Sequence, residues 1–407
     1  MAVGPIVNTE GMEMAEKNKF KLISADAHIV EPADIFEKYL PAEFRASAPV
    51  LKDYKGGSAW FVADDIEPVV LPRTTKTGSG YREGTPLSTD GPIAYSDVLP
   101  ALYDPAERLK AQYTDSIDAE VLYPTPGLWD AVKMLDDNAL KLALVKAYNN
   151  WIADFCAYAP DRLIGLGIVP TSSVEDARDE AQRVASELGL RGMVLGAFPS
   201  GAAVGGNPDD DPFWEVVDRT GLVISIHVAI GNDQSTMPFG GIGGGEKPQM
   251  TNAVQPMVAS GFFDRFENVR LVLAHADAGW AIHWLEFSDM YFLRHRHLSN
   301  YVLKHEDRLL SDYIRRHIWF TFHHDATCVR NRHNLGPAHL MWASHFPYDD
   351  TNWPDNRQQA TRVTAEAPEG VRDNLLAGNV ARLYRLPGFE QGFEEAALKE
   401  FVPLVHY

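Results

Sequence analysis

The sequence predicts a (β/α)8, or TIM, barrel with an insertion after its first strand. Two observations carry this expectation. Eight short β-branched or apolar runs recur along the chain with helix-like stretches between them, and four of the runs end at or beside a histidine. Parallel strands need crossover connections, and eight of them close a barrel whose C-terminal face collects the chemistry. A doubly wound open sheet is the competing architecture, but no GxGxxG follows the first run.

The runs are, in order, 21–26 (KLISAD), 120–124 (EVLYP), 163–169 (LIGLGIV), 192–195 (GMVL), 222–228 (LVISIHV), 269–275 (VRLVLAH), 318–323 (IWFTFH) and 339–344. Helical patterning with Ser or Thr capping options ahead of acids appears at 173–188, and again at 211–220, 357–365 and 371–383. Two stretches break the repeat. Residues 46–100 are rich in Gly, Pro and Asp with scattered aromatics, and read as an insertion. Residues 229–260 contain FGGIGGGEKPQM, whose spacing is not that of a P-loop, so it reads as a loop near the mouth of the barrel. The expected organisation is a lead-in over 1–20, a barrel over 21–386 and a tail over 387–407.

Composition narrows the partners. Lys plus Arg number 37 against 56 Asp plus Glu, a formal charge of −19, which argues against nucleic acid or an anionic membrane. Two cysteines, Cys156 and Cys328, make no disulfide framework and no Cys-rich zinc module. The first twenty residues lack the apolar core of a signal peptide, and no stretch approaches the ~20 apolar residues of a membrane span. A cytoplasmic protein acting on a small molecule is expected, with a homodimer as an open option.

The positions of the histidines point to a metal. His28, His227, His275 and His345 lie at the C-terminal ends of four different runs, where a barrel brings distant residues together. Imidazole ligates zinc, iron and manganese well. Asp26 and His28 are two apart on a strand, so both side chains point to one side and can reach one ion. In the seventh run, alternation puts Thr321, His323 and Asp325 on one face. His323 is then a further ligand and Asp325 a base, or the pair is a packed histidine and a capping aspartate. His283, His295, His297 and His305 read as solvated.

These motifs resemble the amidohydrolase superfamily in its amidohydrolase-2 branch, which includes aminocarboxymuconate semialdehyde decarboxylase. The resemblance runs from about Leu22 to Leu386. It rests on Asp26-Ala-His28-Ile-Val-Glu31-Pro32, on His227, on Ala274-His275 followed by Gly279-Trp280, on Thr321-Phe-His-His-Asp325, on Trp342-Ala-Ser-His345-Phe-Pro-Tyr348 and on Gly378-Asn-Val-Ala-Arg-Leu-Tyr384. It implies a divalent metal at the C-terminal face of a distorted barrel, held by Asp26, His28, His227 and His275. The strand-eight position, normally Asp in the family, is His345. Tyr348 likewise stands where a histidine is common.

His345 keeps the capacity to ligate but removes a negative charge, which favours zinc, iron or cobalt over magnesium. It also displaces the general base to Asp325, Glu31 or Asp349. No bridging Lys or Glu is evident in 192–197, so one ion is favoured over two. The resulting expectation is a metal-dependent hydrolase opening an ester, thioester, amide or activated C–C bond through a metal-activated water. Trp280, Tyr348 and Trp353 would line a fairly apolar substrate, along with Trp129 and Phe198. Two alternatives stand beside it: non-oxidative decarboxylation of an aromatic or enol acid, and a barrel that binds without catalysis.

Overall fold

The computed structural model describes residues 21–72, 74–77, 92–228, 246–298, 301–305 and 307–387. The expected lead-in, most of the Gly-rich loop and all but the first residue of the expected tail lie outside them. Within them, twelve strands form three sheets. In chain order they are β1 (Ile23–His28), β2 (Val50–Tyr54), β3 (Gly57–Phe61), β4 (Val69–Val70), β5 (Ala119–Tyr123) and β6 (Leu163–Gly165), then β7 (Gly167–Ile168), β8 (Gly192–Val194), β9 (Val223–His227), β10 (Arg270–Ala274), β11 (Ile318–Phe322) and β12 (Leu340–Trp342).

Nine of these strands are parallel and make the barrel. One sheet has the order β1–β5–β6 and the other β7–β8–β9–β10–β11–β12. The third predicted run, 163–169, is broken at Leu166 into β6 and β7, and the two sheets part there. The Leu166 amide still donates to Leu122 O at 3.1 Å, and the Val169 amide to Val194 O at 3.0 Å. The opposite seam is stitched just past β12. The His345 amide donates to Asp26 O at 3.0 Å, and the His28 amide to Phe346 O at 2.7 Å. The ring is therefore distorted, parted at Leu166, and the opposite seam runs through three of the candidate ligands, Asp26, His28 and His345.

A register shift in β1 decides what faces inward. Ser24 pairs with Glu120 but Ala27 with Leu122, so three steps on β1 match two on β5. Such a bulge moves the inward side from odd to even residues. Ile23 and Ala25 accordingly join the inner apolar cluster with Val121, Val223, Val272 and Met341, whereas Ala27 packs outward with the helices. Asp26 and His28, beyond the shift, are fully buried and turn to the top of the barrel. The bottom is plugged by the last helix among the described residues, Asn379–Leu383, whose Val380 and Ala381 enter the same inner cluster together with Tyr384.

The connecting helices follow their caps. The helix Val174–Ser186 starts where Ser173 Oγ accepts from the Asp176 amide at 3.0 Å. The helix Asp211–Thr220 ends on Gly221 at φ +67°, a left-handed position that suits a residue without Cβ. The stretch 46–100 holds the antiparallel sheet β2–β3–β4, anchored by Trp60, which is buried edge-on against Phe36.

Candidate metal centre

Strand ends from around the ring deliver one cluster of imidazoles and carboxylates. Asp26 is its centre. His28 Nε2 lies 3.3 Å from Asp26 Oδ1, and His227 Nε2 and His345 Nε2 lie 3.4 and 3.7 Å from Oδ2. The imidazole of His275, from the end of β10, stacks on that of His345 at 4.1 Å between centroids and 19° between planes. His323, from the end of β11, lies 5.0 Å from His345 in the same measure. Donor atoms within 4.8 Å of one another form three overlapping triplets: Asp26, His28 and His227; Asp26, His275 and His345; and His323, His345 and Asp350.

The donor atoms are buried, and many have no hydrogen-bond partner. Both carboxylate oxygens of Asp26, Nε2 of His28 and His345, Nδ1 of His275 and both ring nitrogens of His323 are in this state. Buried polar atoms normally find partners, so a group of converging orphans is the mark of a site built for a ligand. The set of imidazole nitrogens and carboxylate oxygens suits a divalent transition ion. The His28 ring is oriented from behind: its Nδ1 lies 3.2 Å from Pro124 O, and donation there leaves the Nε2 lone pair facing Asp26.

The backbone is bent to make this possible. His275, Asp277 and His345 all have positive φ, at 58°, 48° and 53°. Non-glycine residues in that region carry strain that only surrounding structure can hold. The His275 amide donates to Thr321 Oγ1 at 2.8 Å. Asp277 accepts from the His323 amide at 3.2 Å and from Lys247 Nζ at 2.6 Å.

Charge follows from burial and neighbours. Burial pushes the Asp26 carboxyl up, but the imidazoles of His227 and His28 overcome it and hold the group well below its usual range. Burial lowers His28, His275 and His323, so these rings stay neutral. His345 is the exception. Burial works against its charged form, yet the Asp350 carboxylate raises it, and Asp350 in turn is lowered despite its own burial.

The other residues singled out in the sequence are placed as follows. Asp325 does not reach the cluster. Its Oδ2 accepts from the amides of Ala278 and Gly279 at 2.8 and 2.6 Å, and its Oδ1 accepts from the Cys328 amide at 2.9 Å. Oδ1 thus caps the helix Ala326–Arg330 while Oδ2 holds the Ala278–Gly279 turn, the arrangement of the capping alternative. Tyr348 stands edge-on to His28 at 4.4 Å, beside the cluster. Trp280 donates to Ala276 O at 2.8 Å and packs on Trp284 and Phe320. Trp353 packs on Phe346. These two indoles are tied to the scaffold. Glu31 is buried and accepts from Trp129 Nε1 at 2.7 Å, and Asp349 is exposed. Asp350 is the residue that sequence reasoning passed over: only its place five residues after His345 in the chain hinted at it.

The chain matches the model of the family described as Amidohydrolase over residues 101–386. It belongs to the amidohydrolase family. Among curated relatives, the gamma-resorcylate decarboxylase of Rhodococcus jostii is 22% identical over 346 residues, covering 79% of this chain and 97% of the relative. Among solved structures, the 5-carboxyvanillate decarboxylase of Sphingomonas paucimobilis matches with a TM-score of 0.64 and 23% identity, covering 90% of this chain and all of that one. A 5-carboxyvanillate decarboxylase of Novosphingobium aromaticivorans, solved with manganese and 4-hydroxy-3-methoxy-5-nitrobenzoic acid, matches with a TM-score of 0.65 and 18% identity over 90% of this chain and 97% of that one.

This amidohydrolase is therefore an enzyme of the superfamily with the barrel fold of its relatives. The expectation of a hydrolase is overturned, because the curated relative that aligns along nearly its whole length is a decarboxylase. Nothing in the matches favours an esterase or thioesterase. The same ligand types serve hydrolysis and decarboxylation, so the ligand pattern alone could not separate them. No helix among the described residues is long and apolar enough to cross a membrane.

Proposed function

We propose that this amidohydrolase is a metal-dependent, non-oxidative decarboxylase of an aromatic or enol acid. The observation that carries the reading is the buried triplet Asp26, His28 and His227, in which both Asp26 oxygens and His28 Nε2 lack hydrogen-bond partners, in a chain that aligns along nearly all of a decarboxylase. Asp26, His28 and His227 would hold the ion, and His275 and His345 Nε2 would complete the set. Such an ion supplies Lewis-acid stabilisation of negative charge on substrate oxygens.

The chain's own residues set the rest. Asp26 brings the one fully buried carboxylate of the cluster. His28, His275 and His323, held neutral by burial, offer lone pairs without adding positive charge. Tyr348 covers the edge of His28 and presents an aromatic surface on which a planar acid can lie. Loss of carbon dioxide breaks one C–C bond, leaves the electron pair on carbon and requires one proton there, with no oxidant and no water consumed. Within the described cluster the His345–Asp350 pair holds a proton, between Nδ1 and Oδ2 at 2.6 Å.

The test is a manganese-loaded preparation offered gamma-resorcylate, 5-carboxyvanillate and related hydroxybenzoates in heavy water. The expected result is carbon dioxide with one deuterium at the vacated carbon. Turnover of an ester or amide panel without carbon dioxide from any acid would overturn the reading.

A further inference from the structure

His345 follows the end of β12 and brings no negative charge of its own to the cluster. The structure shows where a carboxylate reaches it. Asp350 Oδ2 accepts from His345 Nδ1 at 2.6 Å, and the same oxygen is 3.6 Å from His275 Nε2. The loop folds back to allow this. The His345 carbonyl accepts from the Tyr348 amide at 2.7 Å, the Tyr348 carbonyl accepts from the Thr351 amide at 3.2 Å, and His345 itself has φ +53°. In the neutral tautomer with Nδ1–H donated to Asp350, which an ion at Nε2 would select, the Nε2 lone pair of His345 faces Asp26 Oδ2 at 3.7 Å, buried and unpartnered. A ligating histidine whose other nitrogen donates to a carboxylate has a fixed tautomer, a fixed ring plane and a more basic donor atom.

We propose that Asp350 is a positioning residue that acts through His345, supplying behind the imidazole a negative charge that the ring itself does not bring to the cluster. This inference rests on the metal reading above. One carboxylate lying against two stacked imidazoles also locks His275 and His345 as a unit. The side chain of Asp350 is one-third exposed, 33% by accessible surface, so it belongs to the rim and can be changed without opening the core.

The experiment is a double-mutant cycle read as manganese affinity, by chelator competition on the full chain. Asp350→Ala should weaken the ion by about 10- to 100-fold, the usual cost of losing such a partner. In the His345→Asp background, where a carboxylate contacts the ion directly, Asp350→Ala should change nothing. Asp350→Asn keeps an acceptor for Nδ1–H and should fall between, with an unchanged metal-free melting temperature and shifted visible bands in cobalt-loaded protein. Four results overturn the proposal: unchanged affinity in Asp350→Ala; the same loss in both backgrounds; loss of binding on His345→Asp alone; or a parent holding two ions of which Asp350→Ala loses one, which would make Asp350 a direct ligand. A parent that takes up no divalent ion overturns the metal reading as well, so the two failures are distinguishable.

Discussion

Asp26 illustrates how one buried group can be costly alone and decisive with a ligand. Its two oxygens have no hydrogen-bond partner, and the Nε2 atoms of His28 and His227 lie 3.3 and 3.4 Å from them. A buried charge without full compensation destabilises the fold, and an ion that binds only the native state returns that stability by mass action. Asp26→Asn keeps the shape and removes the charge. Without metal, the variant should melt at or above the parent's temperature. With manganese at ~100 times its dissociation constant, the parent should gain about 2.7 kcal/mol and the variant almost none. Paired melting curves with and without manganese check this, and an equal metal-induced rise in both proteins would remove Asp26 from the ligand set. Asp26 and His28 were legible in the sequence because their spacing of two fits a strand. Asp350 was not, because a carboxylate five residues away reaches back only through a left-handed residue and a loop that no periodicity encodes.

The connection from β10 to the helix Ala326–Arg330 is where pattern and structure part company. Alternation along the seventh run put Asp325 on the side of His323, yet β11 ends at Phe322 and the next residues leave the pleat. Alternation cannot be carried past a strand end. Asp325 instead ties two elements together by accepting three backbone N–H groups, and Gly279 makes room for it: a Cβ there would come within 2.8 Å of Asp325 Oδ1. Asp325→Ala orphans three donors and should cost about 2–4 kcal/mol in urea unfolding, a cap and its extra bonds together. Manganese stoichiometry should be unchanged, and turnover of the folded fraction should drop less than tenfold. A loss of turnover beyond a hundredfold with unaltered stability would return Asp325 to the chemistry. Strand identity was the more readable part, since all eight predicted runs contain barrel strands. The split of 163–169 was not readable, because a continuous apolar run looks the same whether or not a ring parts in its middle.

At the scale of the whole molecule, the acidic surface and the buried imidazoles make opposite demands as pH falls. Protonating surface carboxylates relieves repulsion within a chain of net charge −19, whereas histidines buried in neutral form must stay uncharged to stay folded. His317 isolates the second effect, because it lies at the bottom of the barrel before β11, away from the metal cluster. Its ring stacks on Phe263 at 4.2 Å and 17°, and its Nδ1 is 3.0 Å from Val269 O. Burial lowers it from its ordinary 6.5 to about 4, with the bond to Val269 opposing and Arg270, Arg316 and Arg308 adding to the fall. Between those two values the unfolded chain binds a proton that the native ring refuses. Stability is therefore full above the unfolded pKa and is lost as pH falls toward the folded one. The loss is about 3 kcal/mol from this group by pH ~4, at 1.36 kcal/mol per unit. His317→Phe keeps a ring for the stack and removes the titration, so its unfolding free energy should decline less steeply over that window. Urea unfolding at half-unit pH steps, with chelator present throughout, makes the comparison. Parallel curves for parent and variant would mean that His317 is charged in the native protein and that the acid sensitivity of the fold lies in other groups.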